Sequence, residues 1–301
     1  MRFGKHLWGV VVGVTALFNT AYADEVSLPY KNLKLNADLT LASGKKLADG
    51  VVMITHGTLA HRDMEMLVAV RNLLRDKGFN TLAINLGLGI DNRRGMYDCK
   101  LTHRHQHDDA AGEIDAWLTW LKSQGATRIA LLGHSRGGAQ TAHYAAEHDN
   151  PLVKAVVLMA PAIAENASAA SYQQRFKKPL APVLQKAQKL VKQGKGDTVM
   201  QKTSLLNCQD ASVTAASFVS YYGQHTHSDT LALLPKVNEP VLILWGDKDE
   251  VVTGLDKKMA PLMDGKRAQF KTIDGADHFF RDLYAEDAVD VISPFLKAHG
   301  L

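Results

Sequence analysis

Arg128-Ile129-Ala130-Leu131-Leu132-Gly133-His134-Ser135-Arg136-Gly137-Gly138-Ala139 is the stretch that decides how this chain is read. A short apolar run leads into it. The residues that follow, Ala139-Gln140-Thr141-Ala142-His143-Tyr144-Ala145-Ala146, suit a helix. The order is strand, tight turn, helix, with a serine at the tip of the turn. G-x-S-x-G in that setting is a nucleophile elbow. The serine must hold a strained backbone conformation for its hydroxyl to project above a sheet. Side chains two residues to either side would strike the neighbouring strand and helix. Gly133 and Gly137 remove them.

Outward from the elbow, strand and helix signals alternate. Leu33 to Leu41 alternates apolar and polar residues, as an edge strand does. Gly50 to Thr55 reads as a buried strand. Asn80 to Asn85, Ala155 to Met159, Pro240 to Trp245 and Ala268 to Ile273 continue the series. Met66, Leu67, Val70, Leu73 and Leu74 have helical spacing, closed by Gly78. Asp108 and Asp109 open a helix with an apolar face of Ile114, Trp117, Leu118 and Leu121, and acids there complement the helix dipole. A last helix is expected from about Leu283 to Leu296. Repeated units of this kind imply an α/β fold: a mostly parallel sheet with helices on both faces. Ligands of such sheets bind beyond the carboxyl ends of the strands.

After Pro161 the pattern breaks. Residues 162–234 are richer in Lys and Gln, helical in spacing, and inserted between two core strands. Leu180, Val183, Leu184, Ala187, Leu190 and Val191 share one helical face, and Lys186, Lys189 and Lys192 lie off it as a solvated face. The segment reads as a helical cap over the strand ends, leaving a core of about 24–161 and 235–301. The 301 residues, 46% of them hydrophobic, suffice for one large domain with an insertion.

The first 23 residues stand apart from that fold. Arg2 and Lys5 precede the apolar run Leu7 to Phe18, and Ala21-Tyr22-Ala23 supplies an A-x-A site before Asp24. This is the pattern of a cleaved secretory signal peptide, and it predicts a periplasmic or secreted protein. The run is short for a membrane anchor, and membrane contact is not expected. Removing two basic residues and no acid lowers the formal charge from +4 to +2, with no long basic block to engage nucleic acid. Two cysteines, Cys99 and Cys208, then suggest one disulfide, whereas in a reducing compartment they would be unrelated thiols.

Three polar positions each follow a strand signal, in the order Ser, Asp, His. Ser135 follows the strand at Ile129. The strand ending at Trp245 leads into Gly246-Asp247-Lys248-Asp249-Glu250-Val251-Val252. The strand ending at Ile273 leads into Asp274-Gly275-Ala276-Asp277-His278-Phe279-Phe280. Through the elbow, the G-D-x-D-x-V-V run and the G-A-D-H run, the chain resembles the α/β-hydrolase superfamily over almost its whole mature length. The resemblance implies Ser135 as nucleophile, His278 as general base and Asp249 as the acid that orients it. A serine hydroxyl needs a neutral imidazole to take its proton, and the carboxylate fixes the tautomer and stabilises the imidazolium. Asp247 competes with Asp249, but the second acid of the run matches the family's triad member. Two backbone donors for an oxyanion are expected in the Arg136 amide, directly after the serine, and in the Thr58 amide of His56-Gly57-Thr58, which matches the family's H-G-x loop. His56, His134 and Asp277 read as supports rather than as reacting groups.

Cys99 to Asp109 carries His103, His105 and His107 at alternate positions, and His225 and His227 repeat the spacing on the cap. Alternating histidines can bind metal, but the reading adopted is a polar loop near the site mouth, with no metal and no cofactor. Gly87-Leu88-Gly89 lacks the spacing of a dinucleotide site. The expectation is an exported serine hydrolase acting on a small-molecule ester or related acyl bond. An acyltransferase with the same triad is the first alternative. A non-catalytic binding protein on the same fold is the second.

Overall fold

The computed structural model describes residues 24–223 and 227–301. The expected signal peptide and His225 lie outside the described residues. β1 (Asp24–Tyr30) and β2 (Leu33–Thr40) are followed by β3 (Val51–Thr55), α1 (Glu65–Asp76), β4 (Asn80–Ile84) and α2 (Asp109–Ser123). Then come β5 (Ile129–His134), α3 (Arg136–Glu147) and β6 (Val153–Met159). The insertion holds α4 (Ala169–Phe176), α5 (Leu180–Lys192), β7 (Val199–Leu205), β8 (Cys208–Thr214), α6 (Ala215–Tyr222) and α7 (Thr230–Leu233). β9 (Val241–Gly246), α8 (Leu255–Met259), β10 (Ala268–Ile273) and α9 (Tyr284–Ala298) complete the chain.

Eight strands form one sheet in the order β1-β2-β4-β3-β5-β6-β9-β10. β1 and β2 pair antiparallel, as do β2 and β4, and the remaining pairs are parallel. The central strands are buried on both faces, so their sequences are continuous apolar runs that sort with a period of two. Val51, Met53, Ile129 and Leu131 face α2 and α3, where Trp117 is wholly buried. Val52, Ile54, Ala130 and Leu132 face α1 and α9, against Leu67, Val70 and Ile292. The chain runs outward from β3 to β4 and then returns past β3 to β5. The connections leaving β3 and β5 therefore diverge to opposite faces and open a crevice at the strand ends. Thr55 lies opposite Gly133 in the β3–β5 register, which sets His56-Gly57-Thr58 beside His134-Ser135-Arg136.

Two expectations are corrected. The strand at Leu33 is not an edge, because β1 pairs along its whole length. Alternation suggested one wet face, yet the polar residues Asn36, Asp38 and Thr40 are buried. Arg62 and Arg71 reach the Asp38 carboxylate at 2.9 and 2.8 Å, and Asn85 bonds Asn36 at 2.9 Å, so the polar side chains of that face pair with one another. β1, with Pro29 and two acids, has the character of an edge. The insertion is also not wholly helical, because β7 and β8 form an antiparallel hairpin inside it. Its register shifts twice, and Lys202 and Asp210 adopt positive φ, which breaks the alternation that marks a strand. On α5, Leu180 and Ala187 are buried as expected, whereas Val191 is exposed.

Candidate active site

The elbow has the strain its sequence demands. Ser135 sits at φ 56° and ψ −122°, a conformation that costs a side chain-bearing residue about 1–3 kcal/mol. Its amide donates to the Met159 carbonyl at 2.9 Å, which pins the turn to the end of β6. A Cβ on Gly133 would stand 2.4 Å from the Gly137 carbonyl oxygen, and one on Gly137 would stand 2.2 Å from that of His56. Both neighbours are backbone and cannot swing away.

Ser135, His278 and Asp249 are brought into one line. His278 Nε2 lies 2.9 Å from Ser135 Oγ, and His278 Nδ1 lies 2.8 Å from Asp249 Oδ2. The second Asp249 oxygen accepts from the Val251 and Val252 amides at 2.7 and 2.8 Å, so the carboxylate is aimed by backbone. All three residues are buried. Asp247 does something else: it accepts from the Gly275 amide at 2.6 Å and pairs with Lys248, holding the loop that carries His278. Asp277 caps the Phe279 amide and pairs with Arg281.

The other two histidines here bond to the backbone of neighbouring loops. His134 Nε2 donates to the His278 carbonyl at 2.9 Å, and burial, with His278 nearby, holds its pKa down at about 3. His56 Nε2 accepts from the Leu86 amide at 3.1 Å and from Arg93 at 2.9 Å. Its proton must therefore sit on Nδ1, which donates to the Gly57 carbonyl at 3.0 Å. Burial and the Arg93 charge keep His56 neutral, with a pKa of about 3. The loop bearing Thr58 is fixed in this way. Neither the Thr58 amide nor the Arg136 amide has a hydrogen-bond acceptor among the described residues, and both residues line the same cavity as Ser135.

That cavity has a volume of about 650 Å³. The core supplies Met64, Met66 and Phe279, and the insertion supplies Arg175 and Asn207. Sequence reading missed the last two, because only the fold of the hairpin and α4 brings them there. The Arg136 side chain, 8% exposed, meets Thr58 Oγ1 at 3.2 Å and lies over the Tyr221 ring at 5.3 Å. Among the described residues no carboxylate pairs with it.

Behind the β4 end, Glu113 of α2 accepts from the Gly87 amide at 2.7 Å in a buried setting. Burial pushes its pKa up to about 7 from 4.5, against a smaller opposing pull from the Gly87 bond. A carboxyl with a raised folded pKa stabilises the fold fully below its unfolded value and loses that contribution as pH climbs through the folded one. Glu113→Gln should therefore gain on the native protein between about pH 4.5 and pH 7, levelling near 3 kcal/mol at most, at about 1.4 kcal/mol per unit. Urea unfolding of both proteins at pH 5, 6, 7 and 8 checks this, and parallel curves would refute it.

His103, His105 and His107 do not form a solvated loop. All three are buried. His103 bridges to Val213, donating its amide to the Ser212 carbonyl at 2.8 Å and accepting from Thr214 at 3.0 Å. His105 Nδ1 lies 2.7 Å from the Tyr221 hydroxyl, and Ser217 donates to the His105 carbonyl at 2.6 Å. Burial lowers the pKa of His103 to about 4 and of His105 to about 3, so both are neutral links. Cys99 and Cys208 form the expected disulfide, Cα to Cα 5.4 Å, at the head of the same seam. The segment is the latch between insertion and core.

Residues 46–281 match the family model described as serine aminopeptidase, S33. No curated protein matches. Among solved structures, Est1E from Butyrivibrio proteoclasticus is 18% identical with a TM-score of 0.62, covering 91% of this chain and 98% of that one. An esterase of Pyrococcus furiosus is 17% identical, with a TM-score of 0.61, covering 93% and 94%. The α/β-hydrolase GrgF from a Penicillium species is 17% identical, with a TM-score of 0.65, covering 92% and 99%. At such identities the likeness speaks for the fold.

Proposed function

Because this chain belongs to the S33 serine aminopeptidase-like family of α/β-hydrolases, we propose that it is an exported serine hydrolase that cleaves a small-molecule ester through an acyl-Ser135 intermediate. The observation that carries this is the buried relay from Asp249 through His278 to Ser135, at 2.8 and 2.9 Å, opening into a cavity. In the reaction Ser135 Oγ attacks the acyl carbon while His278 Nε2 takes its proton. The carbonyl oxygen gathers charge facing the Thr58 and Arg136 amides, which have no other acceptor among the described residues. The imidazolium, held by Asp249, returns the proton to the leaving alkoxide. Water then repeats the sequence on the acyl-enzyme. No cofactor enters this scheme. Export is supported by the composition of residues 1–23 and by the Cys99–Cys208 disulfide.

The charge in the cavity favours an ester over a peptide. An aminopeptidase must receive a substrate ammonium, which calls for a buried anion. The buried ion beside Ser135 is instead the cation of Arg136, while Arg175, Arg281, Glu65 and Asp282 line the cavity as exposed charges of both signs. An acyl group bearing a carboxylate or phenolate would offset that cation. A solved structure of Est1E holds ferulic acid, an aromatic acid whose one carboxyl supplies the acyl carbon of its esters.

A fluorophosphonate probe should add once per chain, and peptide mapping should place the adduct on Ser135. Folded protein that stays unlabelled would remove the acyl-enzyme reading. A panel of acyl esters, with and without a terminal carboxylate, alongside aminoacyl amides, then ranks the substrate class.

A further inference from the structure

A second cluster of side chains lies where the insertion meets α3. His143 and Glu147 are one turn apart on that helix, Asp108 precedes α2, and His227 comes from the insertion. The His143 and His227 rings stack with centroids 4.2 Å apart and planes 18° from parallel. Glu147 faces the Nε2 edge of both, at 3.0 Å from His143 and 3.2 Å from His227. Asp108 faces the Nδ1 edge of both, at 3.1 Å from His227 and 3.9 Å from His143.

This arrangement asks for a cation. A neutral imidazole has one N–H and one lone pair, so a ring with a carboxylate at each nitrogen turns its lone pair on one of them. Full protonation would relieve that, but it places two positive rings in stacking contact. His143 is 3% exposed and lies between the Asp108 and Glu147 carboxylates. Its Nδ1 is buried with no hydrogen-bond partner among the described residues. With protons on Nδ1, toward Asp108, both Nε2 lone pairs converge on the Glu147 carboxylate. A carboxylate behind a ligating histidine is a recurring metal-site device.

We propose that His143 Nε2, His227 Nε2 and the Glu147 carboxylate bind one divalent transition-metal ion of the zinc class, with Asp108 orienting the His227 ring from behind. These three residues offer ligand atoms within 4.8 Å of one another. Glu147 presents Oε2 to His143 Nε2 at 3.0 Å and Oε1 to His227 Nε2 at 3.2 Å, so the carboxylate spans both imidazoles. Two imidazoles with one carboxylate suit zinc better than calcium or magnesium, which take oxygen. His107 supports the site from below, with Nε2 2.9 Å from the His227 carbonyl oxygen. The ion does not touch Ser135. It fastens the insertion to the helix that begins at the elbow, at the opposite end of the seam from the disulfide.

The test uses the untagged full chain, stripped with a chelator and titrated with Zn²⁺ by calorimetry near neutral pH. One equivalent should bind with a Kd at or below about 1 μM, and Co²⁺ in its place should show the visible absorption of a tetrahedral site. His143→Ala and Glu147→Gln should each weaken binding by about 100-fold, while His148→Ala, exposed just past the end of the same helix, should leave it unchanged. Glu147→Gln is nearly isosteric and half-exposed, so it keeps the fold, which circular dichroism verifies. Binding below one equivalent, or binding that survives both variants, overturns the proposal.

Discussion

Ser135→Ala is expected to abolish fluorophosphonate labelling and to lower turnover of any ester substrate by about five to six orders of magnitude. His278→Ala should cost nearly as much, and the double variant no more than either, because nucleophile and base act as one unit. Asp249→Asn is the sharper experiment. An asparagine would still accept the Val251 and Val252 amides through its oxygen, but would turn its NH₂ toward His278 Nδ1. The imidazole would then be held with its proton on Nε2, where it cannot receive one from Ser135. A loss of about four orders of magnitude in kcat follows from the wrong tautomer, with KM little changed. Asp247→Asn keeps an acceptor for the Gly275 amide and should stay within about tenfold of the native rate. Comparable losses in the two variants would reassign the acid. Full activity in Ser135→Ala would remove the proposed mechanism.

That contrast marks where local sequence stops being enough. The elbow was legible because its requirements are local: a serine that must strain and two glycines that must be bare. His278 was legible because only one histidine follows the strand ending at Ile273 closely. Choosing between Asp247 and Asp249 depended on family resemblance, since two acids on one turn share every local property. Their difference lies in what their second oxygens meet, and the meeting groups come from Val251, Val252 and Gly275. β1 was missed because its alternation of Val26, Leu28 and Tyr30 is short and interrupted by Pro29, and its pairing with β2 is what reverses the reading of β2 as an edge.

The insertion was the least legible part. Its apolar helix face was read correctly at Leu180 and Ala187, but its hairpin is broken by positive-φ residues and its core is shared with the core domain. The same dependence explains the histidines. Polar residues at alternate positions usually mark a wet strand, and here the facing strand and helix are supplied by residues more than a hundred positions later. Burial of His103, His105 and His107 is thus a property of the docked insertion, not of their own segment. It follows that the insertion and residues 97–109 stabilise each other and should come apart together.

Removing the covalent part of that seam should cause the largest single loss of stability in the molecule. Cys99 and Cys208 enclose a sequence separation of 109, and closing such a loop removes about 4–5 kcal/mol of denatured-state entropy in the chain-entropy model. The enclosed stretch contains α2, β5, α3 and β6 as well as most of the insertion, so the constraint bears on the central sheet and not on the insertion alone. Cys99→Ser/Cys208→Ser should therefore lower the urea midpoint of the whole protein by an amount equivalent to several kcal/mol. Compactness of the unfolded chain would hold the measured loss below the model value. Reduction of the native protein should reproduce the shift, and fluorophosphonate labelling of the folded variant should persist, because Ser135, His278 and Asp249 all sit in turns that follow core strands, outside the seam. If the midpoint is unchanged while proteolysis within 162–234 accelerates, the disulfide acts on the insertion alone, and the coupling between the histidine seam and the core sheet is refuted. A full loss in both signals places the seam within the cooperative unit that holds the elbow in its strained conformation.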